Sequence, residues 1–179
     1  MKLIEILPDG DALFHPDPWL LLPGRPMFFP DFGSGWHIRP RVAIRICRLG
    51  KGVNARFAPR YYDALTLALT LEADDYGVPA GLVASFDAMT VCGEWIAPEE
   101  FAGLGEVSVD TPGASPFHLV ADLSAVDRAI ETISLHTTIK MGDILLLPLP
   151  EDVRLDAAPR TRLTASAQSR PGLLTVKIV

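Results

Sequence analysis

Apolar and polar side chains alternate along residues 36–46. Because successive side chains of a strand point to opposite faces, this period of two predicts a β-strand on which Arg39 and Arg41 share one face. Leucines alternate with threonine, alanine and glutamate along residues 65–72, which predicts a second strand with its leucine face in the core. The first of these strands therefore carries two neighbouring cations.

Further elements follow the same patterns. Ser124 is predicted to cap a helix, because Asp127 follows three residues later and apolar residues then recur with helical spacing. A short helix interrupted near Pro59 is predicted for residues 54–63. Proline, glycine and serine predict a turn within residues 112–116. More strands are predicted at residues 117–121, 144–149, 161–166 and 173–178.

Prolines punctuate residues 1–35, which contain few helix signals. We expect this stretch to be an extended arm packed on a single domain that comprises residues 1–179. Two glycines and a proline within residues 74–82 predict a loop. Together these patterns predict an α+β, mostly β fold with few short helices.

Composition narrows the classes of function. The chain has 179 residues, of which 49% are hydrophobic and 21% charged, so it can bury a sizeable core within one domain. A formal net charge of −6 argues against nucleic acid or an anionic membrane as the main partner. No apolar run approaches the roughly twenty residues of a membrane helix, and we expect a cytoplasmic protein. Cys47 and Cys92 fit reduced thiols better than a disulfide framework.

Six short segments carry recognisable patterns in collinear order. They are Pro8–Leu13, Phe28–Phe32, Arg48–Gly52, Arg60–Ala64, Ser85–Asp87 and Ile139–Ile144. Together they resemble the fumarylacetoacetate hydrolase family over roughly residues 7–179. The resemblance implies a mixed β-roll or β-sandwich, a homodimer, and Mg²⁺ or Mn²⁺ bound by a Glu-x-Glu pair and an aspartate, since a hard cation prefers carboxylate oxygens.

At the positions where the resemblance expects metal ligands and catalytic groups, this chain has other residues. The Glu-x-Glu pair falls on Arg39 and Arg41, and the aspartate on Thr70, so two ligands become cations and the third a hydroxyl. The position of the family's catalytic lysine falls on Ala84, whose side chain has neither a charge nor a proton that it could transfer. The loop that holds the substrate's carboxylate falls on residues without side-chain hydroxyls, one of which also lacks a backbone donor. They are Leu147, Pro148 and Leu149.

Nothing nearby restores the metal site. No acidic residue lies between Asp31 and Asp63, so a shifted alignment does not recover the missing pair. The histidines have no cysteine or carboxylate at the spacing of a zinc site. They are His15, His37, His118 and His136. His15 is a substitute candidate for the family's general base. We therefore predict a catalytically silent relative without a metal or other cofactor.

Two guanidinium groups about 7 Å apart repel by about 2 kcal/mol at an effective dielectric constant of about 20, so they need water, an acidic partner or an anion. Three interpretations are open. Arg39 and Arg41 pair with Glu72, Asp74 or Asp87, or face solvent, and the cleft is filled. They bind a small carboxylate or phosphate without metal. Or the protein is a divergent hydrolase or decarboxylase of a 2-keto dicarboxylic acid. A fourth idea is a heteromer with an active relative.

Overall fold

Two β-sheets and a few short helices form the structure. The computed structural model describes residues 1–111, 114–119 and 122–179. The strands are β1 (Leu3–Ile6), β2 (Ala12–His15), β3 (Leu20–Leu21), β4 (His37–Ile46), β5 (Tyr62–Glu72), β6 (Thr90–Cys92), β7 (Glu106–Val109), β8 (Phe117–His118), β9 (Ile144–Pro148), β10 (Leu155–Asp156), β11 (Arg162–Ala167) and β12 (Arg170–Lys177). The α-helices are α1 (Ala80–Val83), α2 (Pro98–Ala102) and α3 (Leu123–His136), and the 3-10 helices are Asp17–Trp19 and Ala55–Arg60. The predicted mostly β architecture is confirmed.

The larger sheet has the strand order β2-β1-β9-β4-β5-β6-β3, and β10 pairs with β4 outside this path. Within it, β1 is parallel to β9 and β3 is parallel to β6, whereas β4 is antiparallel to both of its long neighbours, β5 and β9. The smaller sheet has the order β12-β11-β7-β8. The mixed sheet expected from the resemblance is therefore present, with β4 and β5 at its centre.

Residues 1–35, for which an extended arm is predicted, contribute β1, β2 and β3 to the larger sheet. β1 lies between β2 and β9, and Leu3 and Ile4 are fully buried. The buried carboxylate of Asp143 accepts hydrogen bonds from the backbone N–H groups of Lys2 at 2.8 Å and Lys140 at 2.9 Å. Asp143 thereby joins the start of β1 to the turn before β9. The segment Ile139–Ile144, noted in the sequence, therefore connects β1 to β9 through Asp143.

Both predicted central strands are confirmed, but one expectation about β5 is incomplete. Its leucine face lies in the core, as expected. The opposite face is buried too, including Thr66 and Thr70, because both sides of β5 are covered. The hydroxyl groups of Thr70 and Thr90 lie 2.8 Å apart across β5 and β6, so burial leaves them hydrogen-bonded.

Local signals located α3 well but placed its cap wrongly. The side chain of Asp122, two residues before Ser124, caps the helix by accepting from the Ser124 N–H at 3.0 Å. Parts of the predicted turn, at Pro112 and Gly113, and of the predicted strand, at residues 120–121, lie outside the described residues. Among the described residues, no helix is long and apolar enough to cross a membrane.

Candidate functional site

The strand pairing brings the sequence-predicted positions together. Arg39 lies opposite Thr70 in the pairing of β4 with β5, and Arg41 lies opposite Pro148 in the pairing of β4 with β9. Residues separated by more than a hundred positions in the chain thus become cross-strand neighbours. Directly paired residues carry their side chains on the same face of a sheet, so these positions share one face of the larger sheet.

A cavity of about 550 Å³ opens beside these positions. Its wall includes five of the candidate positions, Arg39, Arg41, Thr70, Pro148 and Leu149. A volume of this size is typical of small-molecule sites. The cleft is therefore open where the first interpretation expected it to be filled.

The other two candidate positions, Ala84 and Leu147, are not among the residues that line the cavity. Ala84 ends α1, and its carbonyl oxygen lies 2.8 Å from Nδ1 of His15, which does line the cavity. Leu147 lies in β9 opposite Val42. The position at which the resemblance expects a lysine is thus close to the cavity, and its backbone carbonyl contacts His15.

Glu72 bridges the two arginines. Its Oε2 accepts from Nε of Arg39 at 2.9 Å, and its Oε1 accepts from Nη2 of Arg41 at 2.6 Å. Glu72 lies two residues beyond Thr70 on β5, so it is the diagonal cross-strand neighbour of Arg39. The predicted pairing with Glu72 is present. The predicted alternative Asp74 instead accepts a hydrogen bond from Arg154 at 3.0 Å.

A second carboxylate reaches each arginine from elsewhere in the chain. Glu5 of β1 pairs with Arg41, and Asp152, from the segment between β9 and β10, pairs with Arg39. The two contacts differ in exposure. The side chains of Arg41 and Glu5 are 3% and 7% exposed, whereas that of Asp152 is 72% exposed. One pair therefore lies in the interior and the other lies at the surface.

The hydrogen bond of Asp152 to Arg39 and the nearby guanidinium charge hold the pKa of Asp152 below its ordinary value. Burial lowers the pKa of Arg39, but its hydrogen bond to Asp152 and the charge of Glu72 outweigh that effect and raise it. Both groups are therefore ionised at neutral pH. Burial raises the pKa of Tyr76, another residue of the cavity wall, so its hydroxyl stays neutral.

Both ring nitrogens of His15 face acceptors of the protein itself. Nδ1 lies 2.8 Å from the carbonyl oxygen of Ala84, and Nε2 lies 2.8 Å from Oε2 of Glu5. The ring of Trp19 stacks on the imidazole at a centroid distance of 3.7 Å. His15 thus has no free nitrogen for a general base, and the geometry favours a structural role.

The residues present do not fit the divalent cation that the resemblance implies. The carboxylates of Glu5, Glu72 and Asp152 are each paired with an arginine, and a nearby guanidinium repels a cation. Within residues 1–111, 114–119 and 122–179, no group of three or more His, Cys, Asp or Glu side chains is arranged to hold a metal ion.

No family model matches the chain, and no curated protein sequence is significantly similar to it. Solved structures are similar over nearly the whole chain. A protein of Yersinia pestis CO92, described as belonging to the fumarylacetoacetate hydrolase family, has a TM-score of 0.81 at 19% identity, over 99% of this chain and 92% of its own. The fold of this chain is that of the fumarylacetoacetate hydrolase family.

Two enzymes of known name share this fumarylacetoacetate hydrolase fold. The 5-carboxymethyl-2-hydroxymuconate delta-isomerase of Mycobacterium smegmatis has a TM-score of 0.79 at 19% identity, over 99% of this chain and 78% of its own. The maleylpyruvate hydrolase of Sphingobium sp. SYK-6 has a TM-score of 0.76 at 18% identity, over 99% of this chain and 70% of its own. The fold expected from the resemblance is thus confirmed.

Among the residues of the cavity wall that the sequence analysis missed are Glu5, Tyr76 and Asp152. Glu5 had a signal, because it is the one charged residue in the apolar run Leu3–Ile6. An acid in such a run is buried only if it is paired. Asp152 and Tyr76 lie among other polar or turn-forming residues, and no local pattern connects them to Arg39.

Proposed function

We propose that this protein is a non-catalytic member of the fumarylacetoacetate hydrolase family that binds a small carboxylate or phosphate without a metal. The observation that carries the proposal is the open cavity of about 550 Å³ with Arg39 and Arg41 in its wall. Guanidinium groups bind carboxylates and phosphates through paired N–H donors. A purely structural ion-pair cluster would not need such a cavity beside it.

The hydrogen bonds of His15 favour binding over catalysis. Its two nitrogens are held by Glu5 and by the carbonyl of Ala84, and Ala84 also occupies the expected lysine position. We therefore assign neither a general base nor a catalytic lysine. The competing function is that of a divergent hydrolase or decarboxylase of a 2-keto dicarboxylic acid. Conversion of such an acid by the purified protein would favour it.

Assembly belongs to the same proposal. We expect a homodimer, or a heteromer with an active relative, in the cytoplasm, as the resemblance and composition suggest. Light scattering after size-exclusion chromatography measures the mass of the purified protein directly. A mass of one chain of 19.4 kDa would contradict the homodimer.

Thermal unfolding with ligands tests the proposed function. We expect oxalate or inorganic phosphate to stabilise the protein equally with and without Mg²⁺ or Mn²⁺, by about 2.7 kcal/mol at a hundredfold excess over Kd. Arg39→Ala should abolish the stabilisation. The matched control is Arg45→Ala, because Arg45 lies on the same strand but pairs with Asp63 and does not line the cavity.

Two results would contradict the proposal. A stabilisation that requires Mg²⁺ or Mn²⁺ would show that the cavity holds a metal after all. An equal loss of stabilisation in Arg39→Ala and Arg45→Ala would show that the anion binds elsewhere.

A further inference from the structure

The ion pairs of the cavity form an inner group and an outer group. The inner group comprises Arg41 with Glu72 and Glu5 with His15, and Arg41 also contacts Glu5. The side chains of Arg41, Glu5 and His15 are each at most 7% exposed. Separating such buried charges leaves one of them without a partner in a region of low dielectric. Displacing these contacts would therefore cost a ligand much of its binding free energy.

The outer group is the pair of Arg39 with Asp152. Asp152 is largely exposed, and among the described residues Arg39 is its one ion-pair partner. Exposed ion pairs contribute little to stability, because solvent already screens both charges. Arg39 keeps its contact with Glu72 when Asp152 moves away. A carboxylate from solution can therefore replace Asp152 at Nη1 of Arg39 without disturbing the inner group.

The charges of the cavity match a single negative charge in the ligand. Arg41 is paired with Glu5 and Glu72, and Tyr76 stays neutral. When Asp152 leaves, Nη1 of Arg39 becomes available to an anion. A second negative charge would face Glu5, Glu72 and Glu151, which line the same cavity. Repulsion from these carboxylates would disfavour the binding of a ligand with two negative charges.

Apart from the charged groups and the polar side chains of His15, Thr70 and Tyr76, the cavity wall is apolar. It includes Leu7, Leu13, Trp19, Leu71, Val83 and Met89. Burial of an apolar ligand body against this wall favours binding. The wall offers no hydrogen bond or opposite charge to a second charged group, whose burial there would be unfavourable. The wall and the charge balance therefore point to the same kind of ligand.

We infer that the cavity binds a monocarboxylate with an apolar body, and that the ligand's carboxylate takes the place of Asp152 on Arg39. The inference rests on the proposed function and narrows it to one ligand class. In the absence of ligand, Asp152 occupies the carboxylate position. Asp152 thus competes with the ligand and sets its apparent affinity.

Calorimetric titration with octanoate tests this inference. Octanedioate provides the same body with a second carboxylate, and 1-octanol provides it without charge. We expect octanoate to bind at least about tenfold more tightly than either comparison compound, a difference of about 1.4 kcal/mol in binding free energy. Arg39→Met should reduce octanoate binding to the level of 1-octanol.

The variant Asp152→Asn tests the competition. If Asp152 covers Arg39 about nine-tenths of the time, removing its charge should tighten octanoate binding about tenfold. Asp74→Asn is the matched control, because Asp74 is also an exposed aspartate paired with an arginine but does not line the cavity. It changes the net charge equally and should leave the affinity unchanged.

The outcomes separate the inference from the function it refines. If octanedioate, oxalate or phosphate binds more tightly than octanoate and depends on Arg39, the proposed function stands and the inference is overturned. The inference is also overturned if Asp152→Asn and Asp74→Asn change octanoate affinity equally. If none of these anions binds to the wild-type protein or to Asp152→Asn, both fail. Circular dichroism of each variant verifies that it is folded.

Discussion

β4 carries the same side chain in two environments. Near the cavity, Arg41 is 3% exposed and contacts the carboxylates of Glu5 and Glu72. Towards the end of the strand, Arg45 is 41% exposed and contacts Asp63 at 2.8 Å. Both arginines follow the same period of two. Their burial, more than their strand geometry, determines how much their ion pairs matter to stability.

The two ends of β4 also differ in what surrounds the cation. The guanidinium of Arg45 lies over the ring of Trp95, 5.6 Å from its centroid, and is open to solvent. Arg39 and Arg41 line a cavity. Only the latter environment combines fixed charge with apolar walls, which is what a specific small-ligand site requires.

The largest expected effect is that of Arg41→Ala on stability. This change removes the guanidinium partner of the buried Glu5 carboxylate, so we expect a loss of roughly 3–5 kcal/mol in the free energy of unfolding. Arg45→Ala should cost less than about 1 kcal/mol, because its pair is exposed. Urea unfolding of both variants measures the difference. Equal costs would mean that burial does not distinguish the two ends of β4.

Double-mutant cycles should show a smaller difference between the buried and the exposed ion pair. We expect a coupling energy of about 1–3 kcal/mol between Arg41 and Glu72, and of about 0.2–1 kcal/mol between Arg45 and Asp63. Chemical unfolding of the single and double alanine variants gives both values. A coupling near zero for Arg41 and Glu72 would show that this ion pair contributes nothing beyond packing.

The smallest effect concerns acid stability at the exposed edge of the cavity. Arg39 lowers the pKa of Asp152 in the folded protein below the value of about 3.9 in an unfolded chain. The pair therefore stabilises the protein above about pH 4, and this contribution disappears as the pH falls through the folded-state pKa. Asp152→Asn should accordingly lose less stability than the wild type between pH 6 and pH 2.

The control for this experiment is the same substitution in an Arg39→Met background. Without the guanidinium, Asp152→Asn should no longer alter the acid dependence of the melting temperature. A persistent difference would assign the effect to another partner of Asp152.

Local patterns in the sequence were sufficient for much of the fold. Alternation placed β4 and β5 and put Arg39 and Arg41 on one face, because the period of a strand is a property of the backbone itself. The helical spacing after Ser124 placed α3. Its cap was missed by two residues, since Asp122 and Ser124 are both good capping residues and only the geometry chooses between them.

The candidate site depended on the tertiary structure. Glu5 lies 36 residues before Arg41, and Asp152 lies 113 residues after Arg39. Hydrophobic periodicity describes neighbours along one element, so it cannot report which carboxylates reach an arginine from distant strands or loops. Whether the cleft was filled or open likewise depended on how the strands and loops pack around it.

The sequence alone thus determined the mostly β fold and the placing of two cations where the resemblance calls for carboxylates. Only the tertiary structure showed that three carboxylates from separate segments meet those cations beside an open, largely apolar cavity. The physical reason is the separation of the interacting residues along the chain. The alternation of a strand depends on adjacent residues, whereas ion pairing and cavity shape depend on contacts between residues that only folding brings together.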